Sequence, residues 1–199
     1  MRLTKEAKEA KRNAIINVGS QLMTKQGYAG TGVSEIAKEV GMPKGSFFNY
    51  FKSKEDFTIQ MLEYYCEHSL NHMKQKLRDA TYSPIERLKK YYTANVQWHQ
   101  NTKHYKGGCL LNGLSTEVSD YNDTISQAVK SCYDRLIDEI ALCLQQAQEA
   151  GELSTKHDVL ELATFIDNNW RGYLTTSKAA RNELAAQAFL KYTFEYLLI

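Results

Sequence analysis

Residues 33–54 read VSEIAKEVGMPKGSFFNYFKSK, and the spacing within this stretch decides how the chain folds. Val33, Ile36, Ala37 and Val40 recur at i, i+3, i+4 and i+7, the apolar stripe of a two-turn helix. Gly41 closes that helix, and Pro43 opens another, because the fixed φ of proline suits a first turn where its missing N–H would be unpaired anyway. The second helix carries Phe47, Phe48 and Phe51 on its apolar side and starts with the small, polar and basic residues Lys44, Gly45 and Ser46. Two short helices about a glycine turn make the helix-turn-helix plan. A first helix packs across the second, and small residues let the backbone approach phosphate.

The flanking sequence continues at the helical period. A helix is expected over residues 5–26, with Ala14, Ile15, Val18 and Leu22 on its buried face and Gly27 ending it. Ser53-Lys54-Glu55-Asp56 is a helix-start pattern, and behind it Phe57, Met61, Leu62, Tyr65, Cys66, Leu70, Met73 and Leu77 trace one face of a long helix. Ser83-Pro84-Ile85-Glu86 starts the next, through Leu88, Tyr91, Tyr92 and Trp98, until residues 101–108 break it. A short apolar segment begins at Cys109. Then comes a long helix with Ile125, Val129, Cys132, Leu136, Ile140, Cys143 and Leu144 inward, ended by Gly151. Thr155-x-x-Asp158 caps a helix running to about Lys178, and Asn182 caps the last, which carries Leu184, Ala188, Phe189, Tyr192 and Leu197. No run alternates apolar and polar residues long enough for a half-buried strand, so the expected fold is all-α with about nine helices and a boundary near Ser53.

Composition narrows the class. With 199 residues, 43% hydrophobic, 24% charged and two prolines, the chain can bury a globular core, which excludes disorder along its whole length. Its longest apolar stretches, residues 108–111 and 196–199, fall far short of the ~20 residues of a membrane span. Met1-Arg2-Leu3-Thr4-Lys5 leads into charge rather than an apolar targeting segment, so a soluble, cytoplasmic protein is expected. Cys66, Cys109, Cys132 and Cys143 are scattered without a CxxC pair and are read as thiols outside any disulfide. The net charge of +2 conceals an asymmetry. Residues 1–54 hold ten Lys/Arg against four acids, a balance of +6, which leaves −4 for the rest. A basic head on an acidic body points to a polyanion as partner of the head.

The string Gly27-Tyr28, Val33-Ser34-Glu35-Ile36-Ala37 and Gly41-Met42-Pro43-Lys44-Gly45-Ser46-Phe47-Phe48-Asn49-Tyr50-Phe51-Lys52-Ser53-Lys54-Glu55 resembles the N-terminal domain of the TetR family of transcriptional repressors. The resemblance covers about the first 60 residues. It departs at Phe48, where the family usually has a tyrosine whose hydroxyl can reach the DNA backbone. The resemblance implies a helix-turn-helix domain over residues 1–53 and a helical effector-sensing and dimerisation domain over 54–199. It places Met42, Pro43, Lys44, Gly45, Ser46, Asn49, Tyr50 and Lys54 against double-stranded operator DNA. Of these, Tyr50 and Lys54 would rest on phosphates, Lys44, Ser46 and Asn49 would approach base edges, and Met42 and Pro43 thymine methyls. It also implies a homodimer through the last two helices, with Leu162, Ile166, Trp170, Leu184, Ala188, Phe189 and Tyr192 at the interface, reading a pseudo-palindromic operator.

Such a repressor needs a signal that favours a state unable to fit its operator. Cys109 follows Gly107-Gly108 at a helix start, where unpaired N–H groups stabilise a thiolate, and Lys103 and Lys106 precede it. The run from Gly108 to Val118 is similar to the segment around the reactive cysteine of electrophile- and chlorine-responsive members of the family. Trp170-x-Gly172 with Lys178 resembles their later segment, which implies that Lys178 pairs with the modified sulfur. The other reading is noncovalent binding of a small aromatic or amphipathic effector in a cavity lined by Tyr65, Tyr91, Tyr92, Trp98, Tyr105, Tyr133, Phe165, Asn169 and Tyr173.

Other classes find less support. There is no GxSxG, GxxxxGK[ST] or HExxH, so no enzyme activity is expected. No cofactor is implied. His68 and His72 have the i, i+4 spacing of metal ligands but no third partner, and are read as structural, so no metal is expected. A helical protein-protein adaptor without DNA binding would leave the polar, basic face from Lys44 to Lys54 unexplained.

Overall fold

A computed structural model describes residues 4–101, 109–181 and 183–198. The expected cap Asn182, the pocket residue Tyr105, and Lys103, Lys106, Gly107 and Gly108 lie outside the described residues. The described chain is helical throughout: α1 (Lys5–Gly30), α2 (Val33–Glu39), α3 (Lys44–Phe47), α4 (Lys54–Leu77), α5 (Pro84–Asn101), α6 (Leu110–Val118), α7 (Asp123–Glu149), α8 (Val159–Ala180) and α9 (Leu184–Tyr192), followed by a π-helical turn, Thr193–Leu197. It divides into two compact units, Met1–Cys66 with Leu110–Lys130, and Glu67–Cys109 with Ser131–Ile199.

In the first unit, α1 is capped by the Thr4 hydroxyl, which accepts the Ala7 N–H at 3.2 Å. Its buried face is Ile15, Ile16, Gly19 and Met23, one position out of register with the expected stripe, and Ala14 is exposed. The reason is Gly19: a Cβ there would lie 2.3 Å from Cζ of Phe57, so a residue with no apolar side chain occupies the inner face. Gly27, at φ 80 and ψ 174, breaks the helical path inside α1 as the sequence implied. Gly41, at φ 70, turns α2 into α3.

α3 is a single turn with Pro43 as its N-cap rather than within its first turn. It tails off through Asn49 N–H to Ser46 C=O at 3.2 Å and Tyr50 N–H to Phe47 C=O at 2.9 Å. Phe47 and Phe51, four apart, are buried, whereas Phe48 is rotated about 100° away and half exposed, against the expectation that all three share one face. α4 begins as its sequence predicts. The Ser53 hydroxyl accepts the Asp56 N–H at 3.0 Å, and the Asp56 carboxylate accepts the Lys52 N–H at 2.7 Å. Asn122 caps α7, its Oδ1 accepting the Ile125 N–H at 2.9 Å.

In the second unit, the inward positions Cys132, Leu136, Ile140, Cys143 and Leu144 of α7 are all buried. Cys143 has its thiol pushed up to about 12 by burial, and none of the four cysteines is in a disulfide. Arg78 holds Glu139 with two bonds of 2.7 Å. α8 starts at Asp158, not at Thr155, because the Asp158 carboxylate takes the N–H groups of both Leu160 and Glu161 at 2.9 Å. Trp98, six residues after the buried Tyr92, falls on the outer side of α5 and is exposed, which removes it from the expected inner stripe.

His99 is buried, with Nδ1 3.1 Å from the Tyr173 hydroxyl, and burial lowers its pKa from 6.5. The unfolded chain therefore takes up this proton first, and the stability His99 contributes is present above pH 6.5 and lost as the pH falls below it. Urea midpoints followed by circular dichroism are expected to fall from neutral to mildly acid pH, and His99→Gln to flatten that slope.

Candidate nucleic-acid interface and sensing site

The structure puts Met42, Pro43, Lys44, Gly45 and Ser46 at the entry and first turn of α3, with Asn49 and Tyr50 just beyond it. Pro43, Lys44, Gly45 and Asn49 are exposed, and Met42, Ser46 and Tyr50 are half-buried. Apart from its own chain neighbours and helix backbone, no atom of the described residues comes within 4 Å of where a Gly45 side chain would start, so the backbone there is open to a close approach. Beneath this surface Phe47 packs on Phe51 and Phe57 with ring centroids 5.1 and 5.5 Å away. Tyr50 lies beside Phe51 at 6.5 Å.

Lys54 stands apart from that set. Its Nζ donates to the Tyr28 carbonyl at 2.5 Å and sits 4.2 Å over the Tyr28 ring. Burial lowers its pKa, and the nearby Glu117 charge works against that. The ammonium is thus engaged inside the unit instead of projecting with Lys44. Sequence reading missed the side chains that brace the helix-turn-helix from behind. Lys11 Nζ donates to the Val40 carbonyl at the end of α2 at 3.2 Å. Arg12 Nη2 bonds Gln60 Oε1 at 2.9 Å, and Gln26 Nε2 bonds Glu35 Oε2 at 2.6 Å. Neither motif nor periodicity marks polar pairs so far apart along the chain.

In the second unit Cys109 immediately precedes α6 and is half-buried. Arg171 Nη1 lies 3.8 Å from its sulfur. Arg171 is itself held by Asp167, through Nε at 2.5 Å and Nη2 at 3.0 Å, and lies 4.1 Å from the centroid of the Tyr133 ring. Burial disfavours both charges of the pair. It pushes the Asp167 carboxyl up, with Arg171 bringing it part of the way back, while Asp167 more than restores the Arg171 charge. Lys178 is exposed in the last turn of α8. Seven residues beyond Arg171, it is about 10 Å further along the axis, whereas Arg171 is a cation that the structure does bring to Cys109.

The aromatic residues expected to line one cavity separate into groups. Tyr92 is fully buried among Tyr91, Trp170 and Phe189 at 5.1, 5.5 and 5.1 Å, and its hydroxyl has no partner among the described residues. Burial raises Tyr91 to about 12. Tyr65 is half-buried, and Trp98 faces out of α5. Phe165, Asn169 and Tyr173 instead line an outer groove of about 790 Å³ on α8, α9 and the π-helical turn, together with Ala188, Tyr192 and Tyr196. Of the expected interface residues, Leu162, Ile166 and Phe189 are buried inside the unit, and Trp170 is partly buried against its core. Leu184, Tyr192 and the unforeseen Phe165 and Tyr196 are exposed and apolar. Among the described residues no group of three His, Cys, Asp or Glu side chains could hold a metal ion, and no helix is long and apolar enough to cross a membrane.

The chain is similar to known proteins along most of its length. The family description "Bacterial regulatory proteins, tetR family" matches residues 15–61, and "Tetracyclin repressor-like, C-terminal domain" matches residues 84–193. The chain belongs to the TetR family. HTH-type transcriptional repressor DhaR of Mycobacterium sp. (strain GP1) is 29% identical over 187 residues, covering 94% of this chain and 92% of DhaR. Transcriptional regulator AcuR of Cereibacter sphaeroides is 30% identical over 165 residues, covering 83% of this chain and 75% of AcuR. The crystal structure of the reduced form of Escherichia coli NemR superposes with a TM-score of 0.86 at 27% identity, covering 94% of this chain and 96% of NemR. Like the rest of the TetR family, this chain is a DNA-binding transcriptional regulator and not an enzyme.

The exposed Lys44 gives the candidate DNA face a direct check. On a duplex enriched from random sequence by the wild-type protein, Lys44→Ala is expected to weaken binding. Because a cation brought against the duplex displaces counterions even when it reaches base edges, the variant should also reduce the steepness of log K against log salt by up to about one. Fluorescence anisotropy across a salt series reads both.

Proposed function

We propose that this TetR-family regulator is a cytoplasmic homodimeric repressor, released from a pseudo-palindromic operator when an electrophile or oxidant modifies Cys109. The observation that carries the signal is the contact of the Cys109 sulfur with Arg171, whose charge is pinned by the buried Asp167, at the residue leading into α6. Cys66, Cys132 and Cys143 are buried, where thiols are usually inert. Repression fits the likeness to the transcriptional repressors DhaR and NemR, and a thiol signal suits the likeness to the reduced form of Escherichia coli NemR.

The DNA face on this reading is Met42 to Ser46 with Asn49 and Tyr50. Lys44, Ser46 and Asn49 approach base edges, and Tyr50 a phosphate. Lys54, turned onto Tyr28, supports the fold of the head rather than reaching DNA. The two-fold interface is assigned to the exposed apolar face of α8 and α9, with Phe165, Leu184, Tyr192 and Tyr196 taking the place of the buried Leu162 and Ile166. A second reading, a noncovalent aromatic or amphipathic effector, is favoured by the buried, unpartnered Tyr92 hydroxyl among aromatic rings.

N-ethylmaleimide separates the two readings: the Cys109 sulfur bonds to an alkene carbon, and a proton is taken up at the neighbouring carbon. Anisotropy on the enriched duplex is expected to show loss of binding by the treated wild type and retention by treated Cys109→Ser. Retention by both proteins would retire the thiol signal in favour of the noncovalent effector.

A further inference from the structure

Glu117, near the end of α6, grips the final turn of α1, beyond the break at Gly27, with both carboxylate oxygens. Oε2 accepts the Tyr28 N–H at 2.7 Å and Oε1 the Ala29 N–H at 2.6 Å. These N–H groups are released where Gly27 leaves helical geometry at φ 80. Glycine is required there for the approach as well as for the dihedral, since a Cβ would lie 2.6 Å from Glu117 Oε2 and 3.1 Å from Cδ. Lys54 Nζ donates to the Tyr28 carbonyl at 2.5 Å, so Tyr28 is held at both its N–H and its C=O.

The turn so held leads straight into the helix-turn-helix. The Thr31 hydroxyl, fully buried, donates to the Gly27 carbonyl at 2.7 Å, and Gly32 is the N-cap of α2. A second tie comes from the segment after α6. Asn122 Nδ2 donates to Glu55 Oε2 in the first turn of α4 at 2.6 Å. Hydrogen bonds between backbone N–H groups and a carboxylate are among the stronger ones available to a protein. Base-edge recognition tolerates only a few tenths of an ångström in hydrogen-bond length.

We propose that Glu117 is a positioning residue for operator binding: its carboxylate fixes the turn from which α2 and α3 project, so that Met42 to Tyr50 meet the DNA in one register. Glu117 is not among the residues proposed to meet DNA and lies far along the sequence from the helix-turn-helix. This role concerns DNA binding itself, and it stands or falls independently of the Cys109 signal.

Glu117→Gln keeps one acceptor and turns an amide donor onto the other N–H. In the full-length variant, amide exchange at Tyr28 and Ala29 is expected to accelerate. The preference for the enriched duplex over a random duplex of equal length should fall about ten-fold, the scale of one charge-assisted hydrogen bond. Affinity for the random duplex should persist, because the basic face is intact, whereas a merely structural defect would lower both affinities together. Faster exchange with a preference within two-fold of wild type overturns the proposal, as does wild-type exchange at both amides. Glu117→Asp, which keeps the charge and withdraws it by one methylene, gives the same two readouts if Glu117→Gln does not fold. Failure of both variants to fold makes the role structural and overturns the proposal as well.

Discussion

Phe57 presses its ring into the notch that Gly19 leaves in α1, and the placement of α3 follows from that contact. Phe51 meets Phe57 edge-on at 4.9 Å, and Phe47 joins them at 5.5 Å, so three rings from α3, the turn after it and α4 share one buried site. A helix of four residues has no stability of its own, because the cost of nucleation is not recovered within one turn. α3 exists because Phe47 is anchored beneath it, and aromatic pairs of this kind contribute about 0.5–1.5 kcal/mol each beyond the area they bury. The anchor leaves Lys44, Gly45 and Asn49 outward by helical geometry alone. Thus the packing that makes the fold also presents the face proposed to meet DNA.

The second unit places an ion pair where its solvation cost is high. Asp167 is 3% exposed, and taking both partners out of water costs several kcal/mol per ion before their attraction offsets it. Two short bonds between Asp167 and Arg171 and the Tyr133 ring beneath the guanidinium supply that compensation. Apolar residues of similar volume would fill this space without the desolvation cost, so stability alone is a weak reason for the pair. A charge fixed beside the Cys109 sulfur is a functional reason, and it is why the proposed signal is placed there.

Much of this was legible in the sequence because it depends on local rules. The Ser53–Asp56 cap, the break at Gly27, the glycine at Gly41 and the inward face of α7 each follow from residues within a few positions of one another. The errors share a different origin. The α1 stripe was misplaced because Gly19 faces inward for the sake of Phe57, a contact between residues 38 positions apart. Phe165 and Tyr196 were missed as exposed apolar surface, and Leu162 and Ile166 were assigned to it, because periodicity shows which residues share a face and not what covers that face. The family pattern points to Lys178, while Arg171 beside Cys109 carries no such signal, since that contact depends on which turn of α8 comes nearest to Cys109. Glu117 carried no signal at all: a lone acid on an amphipathic helix finds its partners only in three dimensions.

The proposed homodimer would bring two copies of one recognition surface to one duplex. Hydroxyl-radical footprinting on the duplex enriched from random sequence tests this directly. Two protected patches related by a two-fold axis, with the major groove facing the protein at each, are the predicted result; a single patch, or no protection at concentrations where anisotropy reports binding, would contradict it.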